Sequence, residues 1–237
     1  MQKPYWIPYQ SRSYNFPPVD HALKHPDGLL AVGGDLSLER LLVAYRQGIF
    51  PWYSDDQPIL WWSPSQRMVL FPEYLKVSRS LRQTIRRNKF TVTMDTCFRA
   101  VMKKCAEHTD KRPSTWITKD MLEAYCHLHE NGFAHSVEIW YEEQLVGGLY
   151  GLALGKVFFG ESMFSRVTDA SKVALVRLVR QLEHWGYELI DCEVYNNHLA
   201  SLGAMEIPRR DFRILLDRLC EMPGHSGPWQ FEDEIYE

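Results

Sequence analysis

No stretch of the 237-residue chain approaches the ~18 consecutive apolar residues of a membrane span, so no segment reads as a transmembrane helix. The opening MQKPYWIPYQSRSYNF lacks the apolar run of a secretory signal, which places the expected site of action in the cytoplasm. Cysteine is scarce: Cys97, Cys105, Cys126, Cys192 and Cys220 are five in number, scattered and without a Cys-x-x-Cys pair. That usage argues against a disulfide framework and a zinc ribbon and suits core thiols in a reducing compartment. The trio Cys126, His127 and His129 falls on an expected helix, MLEAYCHLHENG, where its spacing does not converge on one ion, so no metal is expected. Internal repeats and low-complexity segments are absent too, and the acidic tail FEDEIYE reads only as a solvated end.

What is present is the composition of an ordinary globular protein, 45% hydrophobic and 24% charged, long enough for one large domain or one and a half. The net charge of -3 conceals an asymmetry. Between Gln66 and Arg112 stand 12 Lys or Arg against 4 Asp or Glu, a balance of +8, so the remainder carries -11. A basic sector on a mildly acidic protein suits a polyanionic partner.

The turn-rich HPDGLLAVGGDL precedes an expected helix over 38–47, with Ser37 as N-cap, Gly48 as left-handed terminator and Leu38, Leu41, Leu42 and Tyr45 on one apolar face. The following GIFPWYSDDQPILWWSPSQRMVLFP mixes Phe50, Trp52, Tyr53, Trp61 and Trp62 with prolines and reads as an ordered, aromatic-lined loop. A second helix over 78–88 carries Arg79, Arg82 and Arg86 at helical spacing, with Lys76, Arg87 and Lys89 close by and Glu73 as the single nearby acid. With so little to gain from i,i+4 pairing, this basic side suits phosphate. From Ala134 the pattern turns to strands: AHSVEIWY, a turn at 142–144, LVGGLYGLAL, a Gly155-Lys156 turn and VFFGESMF. A helix over 169–185, capped by Thr168 or Asp169, and the strand YELIDCEV complete the run.

Two of these strand-like runs, VFFGESMFSR and LIDCEV, bring Glu161, Asp191 and Glu193 into apolar surroundings. A carboxylate among Phe158, Phe159 and Phe164 is costly to desolvate unless it binds a cation or handles a proton. The bland alternative leaves such acids exposed at strand ends or paired with a structural arginine such as Arg166. Three acids on neighbouring segments favour chemistry.

A meander, a helix and a further strand are the layout of the acyl-CoA N-acetyltransferase fold. In that superfamily the turn into the helix is Gly-rich and basic, cradling pyrophosphate on backbone N–H groups. Here it reads SRVTDASK, with no glycine, which disfavours an acetyl-CoA enzyme. A non-catalytic RNA-binding module with structural acids is the rival from another class.

The segments GLLAVGGDLSLERLLVAYRQGIFPWY, ILWWSPSQR, TWIT, HSVEIW, LVGGLYG, GESMFSR, ASK, LIDCEV and HLASLGAMEIPRRDF, in this order over roughly residues 15–215, resemble the leucyl/phenylalanyl-tRNA–protein transferase family. The resemblance implies an α+β chain: a small N-terminal domain over 1–65 and an acetyltransferase-like catalytic domain with a mainly antiparallel mixed sheet over 66–237. It implies transfer of Leu or Phe, more weakly Met, from aminoacyl-tRNA to the N-terminus of proteins beginning with Arg or Lys, which marks them for degradation. No cofactor is implied, since the aminoacyl ester is already activated, and a monomer is expected. By the same resemblance Trp52 and Trp116 flank the aminoacyl-adenosine end, Leu149 and Phe158 help line a side-chain pocket, and Gly160 and Ile190 are further substrate-binding residues. Lys76, Arg79, Arg82, Arg86, Arg87 and Lys89 hold the tRNA acceptor stem. Glu161 and Asp191 take the acceptor's cationic side chain, and Asp191 with Glu193 handles the proton. Glu193 departs from the family, which more often has glutamine there. If it shares a strand face with Asp191, repulsion raises the pKa of one of the two.

Overall fold

The computed structural model describes residues 3–9, 11–107, 115–225 and 229–232. Lys111, Arg112 and residues 233–237 of the acidic tail therefore lie outside the described residues.

The N-terminal part builds a four-stranded sheet around one helix. Strand β1 (Tyr5–Ile7) pairs in parallel with β2 (Leu29–Gly33), and α1 (Leu38–Arg46) leads to β3 (Phe50–Pro51) and β4 (Leu60–Trp62), in spatial order β1-β2-β4-β3. Helix α1 matches its expected span, and Gly48, at φ 71°, ends it. Ser37 stands at the N-cap position, but its hydroxyl bonds Asp35 Oδ1 at 2.5 Å instead of an amide of the first turn. The aromatic stretch expected as a loop contains β3, β4 and the start of the next sheet. Its prolines fall at strand edges and between strands, where no ladder hydrogen bond is lost.

The rest of the chain builds a mixed, mainly antiparallel sheet in the order β11-β5-β10-β9-β8-β7-β6. Its first members are β5 (Gln66–Leu70) and, after α2 (Arg79–Arg86), β6 (Thr91–Met94). Helices α3 (Phe98–Ala106) and α4 (Lys119–Glu130) precede the expected meander of β7 (Ala134–Tyr141), β8 (Gln144–Leu154) and β9 (Val157–Ser165). Helix α5 (Ala170–His184) then crosses to β10 (Leu189–Asp191), the short α6 (Asn197–Ser201) follows, and β11 (Met205–Pro208) and α7 (Arg209–Leu219) close the fold. Only β9 and β10 pair in parallel within this sheet, as a crossover helix requires. Asp169 occupies the N-cap of α5 in a left-handed conformation and gives its carboxylate to Lys172 and Thr84 instead of capping the helix.

Strand β8 is buried on both faces, and its Gly147 and Gly148 show why. A Cβ at Gly147 would lie 2.6 Å from Ala170 of α5, and one at Gly148 would face Phe164 and Val101 of α3. The two faces carry separate cores. Helix α5 covers Val137, Leu149, Phe158 and Ile190 on one, while α1, α3 and α4 cover Tyr150, Leu152 and Phe159 on the other. Tyr45 of α1 meets Phe159 edge-on at 5.2 Å, so the N-terminal part shares the second core.

Candidate active site

Two backbone irregularities shape the site. Tyr150 pairs with Ser162 and Gly151 with Gly160, which leaves Glu161 as the extra residue of a β-bulge. A bulge re-aims its side chain, and here Glu161 reaches the hydroxyls of Tyr45 and Tyr125. The second irregularity is the end of β10. It pairs with β9 only through Leu189, Ile190 and Asp191, after which the chain follows β5, with Cys192 N donating to Met68 O at 2.8 Å and Met68 N to Glu193 O at 3.1 Å. The expected strand over YELIDCEV is thus three residues long, and Glu193 stands beyond it at φ 60°. Left-handed backbone costs a non-glycine residue on the order of 1 kcal/mol and is retained where the surroundings fix it. The surroundings here are Asp191 Oδ1, which accepts from Glu193 N at 2.9 Å, and the bond from Met68. Asp191 and Glu193 are therefore not on one strand face, and the hydrogen bond joins a carboxylate to a main-chain amide.

Where β9 and β10 part, a cleft of about 370 Å³ runs through the sheet. Its apolar end, on the α5 side, is lined by Leu149, Phe158, Leu175, Leu178 and Ile190. Its other end carries Glu161, Asp191 and Glu193, with the buried Phe50, the half-buried Trp116 and the exposed Trp52 also lining the space. Trp52 is 46% exposed, and its carbonyl accepts from Trp62 Nε1 at 2.7 Å, which fixes the loop that presents the ring. All nine cleft residues singled out from the sequence, Trp52, Trp116, Leu149, Phe158, Gly160, Glu161, Ile190, Asp191 and Glu193, line this one space.

The three acids differ in surroundings. Asp191 is fully buried and bound bidentately by Arg67, with Nε to Oδ1 at 2.8 Å and Nη2 to Oδ2 at 2.5 Å. The partner is not Arg166, which pairs with Glu107. Arg67 is itself buried, with its guanidinium 4.5 Å from the Phe50 ring centre and 4.9 Å from that of Phe212. Burial works against its charge, but the attraction and hydrogen bonds of Asp191, with Glu193 behind, hold its pKa above the ordinary value.

Glu161 is pushed up to about 7, first by burial and further by the charge of Asp191, while the bonds from Tyr45 and Tyr125 oppose the rise. The two tyrosine hydroxyls also touch each other, so the triangle has three contacts and two hydroxyl protons. Glu193 is raised well above the usual carboxylate range by burial and then by the charge of Glu161, with Asp191 contributing less. The repulsion foreseen between Asp191 and Glu193 is therefore the minor cause. Glu193 Oε1 is sealed from solvent without a hydrogen-bond partner among the described residues.

Tyr45, Tyr125 and Arg67 were not foreseen as site residues. Tyr45 read as part of an apolar helix face and Arg67 as one more cation of the basic sector. The available signal was RMVLF, where a lone cation leads an apolar strand and so needs a buried partner. The six cations assigned to RNA lie elsewhere, all exposed, on α2 and its flanks. Arg82 Nε donates to Val77 O at 3.1 Å, and Lys89 lies 4.8 Å from the Tyr141 ring centre. The trio Cys126, His127 and His129 does not converge: His129 bonds Ala134 O at 2.8 Å and stacks on Phe98, and no metal-binding group occurs among the described residues.

Acids of raised pKa beside an apolar pocket, near the exposed ring of Trp52 and the half-buried Trp116, are the surroundings in which functional carboxylates cluster and a ligand with an apolar end fits. Residues 69–217 match the family model for leucyl/phenylalanyl-tRNA protein transferase and residues 34–65 the model for its N-terminal domain, and the chain belongs to this family of aminoacyl-tRNA transferases. The Nitrosomonas europaea leucyl/phenylalanyl-tRNA–protein transferase is 56% identical over 217 residues, 92% of both chains. That of Nitrosospira multiformis is 56% identical over 231 residues, 98% of this chain and all of the relative. Among solved structures, a GCN5-related N-acetyltransferase-like protein from Streptococcus suis superposes with a TM-score of 0.30 at 14% identity, covering 60% of this chain and 59% of that one. A likeness that weak decides nothing about fold.

Proposed function

We propose that the chain moves Leu or Phe, and more weakly Met, from aminoacyl-tRNA to the α-amine of proteins that begin with Arg or Lys, marking them for degradation in the cytoplasm. The division of labour follows the cleft. Its apolar end takes the donor side chain, Trp52 and Trp116 stack against the terminal adenosine, and the exposed cations of α2 follow the acceptor stem. The observation that carries the reading is the pair Glu161 and Glu193, both held with raised pKa at the far end of the cleft with no cation bound to either among the described residues. An acceptor that brings its own guanidinium or ammonium supplies the missing charge. Asp191 is already neutralised by Arg67 and acts by holding Glu193.

The α-amine attacks the ester carbonyl, an amide bond forms, and the bond to the ribose oxygen breaks. With the acceptor's cation beside it to lower its raised pKa, Glu193 is the carboxylate that takes the proton lost by the amine, and a proton returns to the leaving ribose hydroxyl. An α-amine of pKa about 7.7–8.0 is partly neutral at pH 7, so positioning and a modest base suffice and no cofactor enters. The division into a small N-terminal domain over 1–65 and an acetyltransferase-like domain over 66–237, working as a monomer, belongs to the same proposal.

The test mixes purified protein, radiolabelled leucyl-tRNA and peptides beginning with Arg, Lys, Asp or Ala, with and without acetyl-CoA. Label on the Arg and Lys peptides alone, indifferent to acetyl-CoA, is the expected result. Transfer to Asp overturns the acidic acceptor site, and tight tRNA binding without transfer favours a binding module.

A further inference from the structure

The ring of Phe158, a wall of the apolar end, is confined from two directions. Gly151 on the neighbouring strand leaves it space, since a Cβ there would come within 2.7 Å of ring atoms Cε1 and Cζ. From behind, Trp229 lies with its ring centre 6.1 Å from that of Phe158. Trp229 is only 7% exposed and is not part of the cleft lining. It stacks on His135 at 3.6 Å, with the rings 4° from parallel, and meets Trp185 edge-on at 5.1 Å. His135 is fixed by Asp95, 2.7 Å from its Nδ1.

The segment that carries Trp229 is moored to α5. Glu232 N donates to Oε1 of the fully buried Gln181 at 3.0 Å, and the Glu232 carboxylate accepts from Trp185 Nε1 at 2.6 Å. Gln181 shares α5 with Leu175 and Leu178, which line the cleft. One helix thus supplies a pocket wall and the mooring of the segment behind the opposite wall.

We propose that residues 229–232 form a strap by which Trp229 holds Phe158 forward and so sets the depth of the donor side-chain pocket, which makes Trp229 a positioning residue for the choice between leucyl and phenylalanyl donors. The inference rests on reading the apolar end as the donor pocket. A benzyl side chain reaches deeper than an isobutyl one. With the strap in place the wall meets the shorter side chain, and without it Phe158 drops back, leucine loses contact and phenylalanine gains room.

The experiment compares Trp229→Ala, Trp229→Phe and Glu232→Ala with the parent full chain, measuring kcat and KM for leucyl- and phenylalanyl-tRNA on an Arg peptide, with thermal melting alongside. The expected result is that Trp229→Ala lowers the leucyl-to-phenylalanyl ratio of kcat/KM about tenfold, the effect of one missing methylene in an apolar pocket. The change lies mainly in KM, and Trp229→Phe restores most of the ratio. Should Trp229→Ala not fold, Glu232→Ala, which loosens only the mooring, shifts the same ratio in the same direction by a smaller factor. Equal losses for both donors in every folded variant overturn the proposal and leave Trp229 a core residue. A parent chain that transfers neither amino acid overturns the donor-pocket reading instead, before any variant is compared.

Discussion

The acids of the cleft and the cations of α2 carry opposite charge and are built in opposite ways. Each acid is held by side chains or main chain from other elements: Asp191 by Arg67 of β5, Glu161 by Tyr45 of α1 and Tyr125 of α4, and the Glu193 backbone by Met68. Among the described residues Lys76, Arg79, Arg82, Arg86, Arg87 and Lys89 form no ion pair, and all six are exposed. A buried charge acts through fixed geometry, and losing one partner is costly. An exposed set acts through its number, and each member contributes little. The contrast teaches that the same residue type, arginine, is a buried structural keystone at position 67 and an exposed side chain without an ion pair at position 82.

The largest effect should come from breaking the buried pair. Arg67→Met leaves the Asp191 carboxylate uncompensated and should destabilise the protein by about 3–5 kcal/mol in urea unfolding, whereas adding Asp191→Leu should recover most of that. A loss below about 1 kcal/mol would show that Arg67 is as dispensable as its surface counterparts.

A middle effect is expected at Glu193. Its folded pKa is raised, so the folded state holds a proton that the unfolded chain gives up above about pH 4.5. Stability from this group is complete below that pH and is lost as pH rises towards the folded pKa. Glu193→Gln, which mimics the protonated form, should therefore melt like the parent at pH 4 and higher than the parent at pH 8. Its activity should stay within about tenfold at neutral pH while the pH–rate curve loses the limb set by Glu193. An unchanged curve would remove Glu193 as the proton acceptor.

The smallest effect belongs to α2. Arg82→Ala should weaken tRNA binding only a few-fold, for every tRNA alike, and reduce the slope of log affinity against log salt by about 1. A loss specific to one tRNA, or a slope left intact, would mean that Arg82 does not contact phosphate.

Much of this arrangement is legible in the residues. The periodicity of α1, α2 and α5, the meander and the three acids follow from local patterns, and α2 begins where Ser78 accepts from Leu81 N at 3.2 Å. The N-terminal strands are hidden because Phe50–Pro51 and Leu60–Trp62 are too short and too rich in proline and aromatics to show alternation. The Arg67–Asp191 pair is hidden because its members lie 124 positions apart and meet only through the register of β5 against β10. The Glu161 bulge is hidden for a related reason: the extra residue exists only relative to the strand beside it. Local chemistry is visible in a string of residues, and pairing across the sheet is not.

The opening between β9 and β10 arises from unequal strand length, nine residues against three. Substitutions along its walls therefore change what lines the cleft, while the gap between the strands is drawn by the main chain. An insertion or deletion that lets the chain beyond Asp191 rejoin its neighbour would close that gap. For an engineer this makes the site forgiving of altered selectivity and intolerant of a single altered chain length.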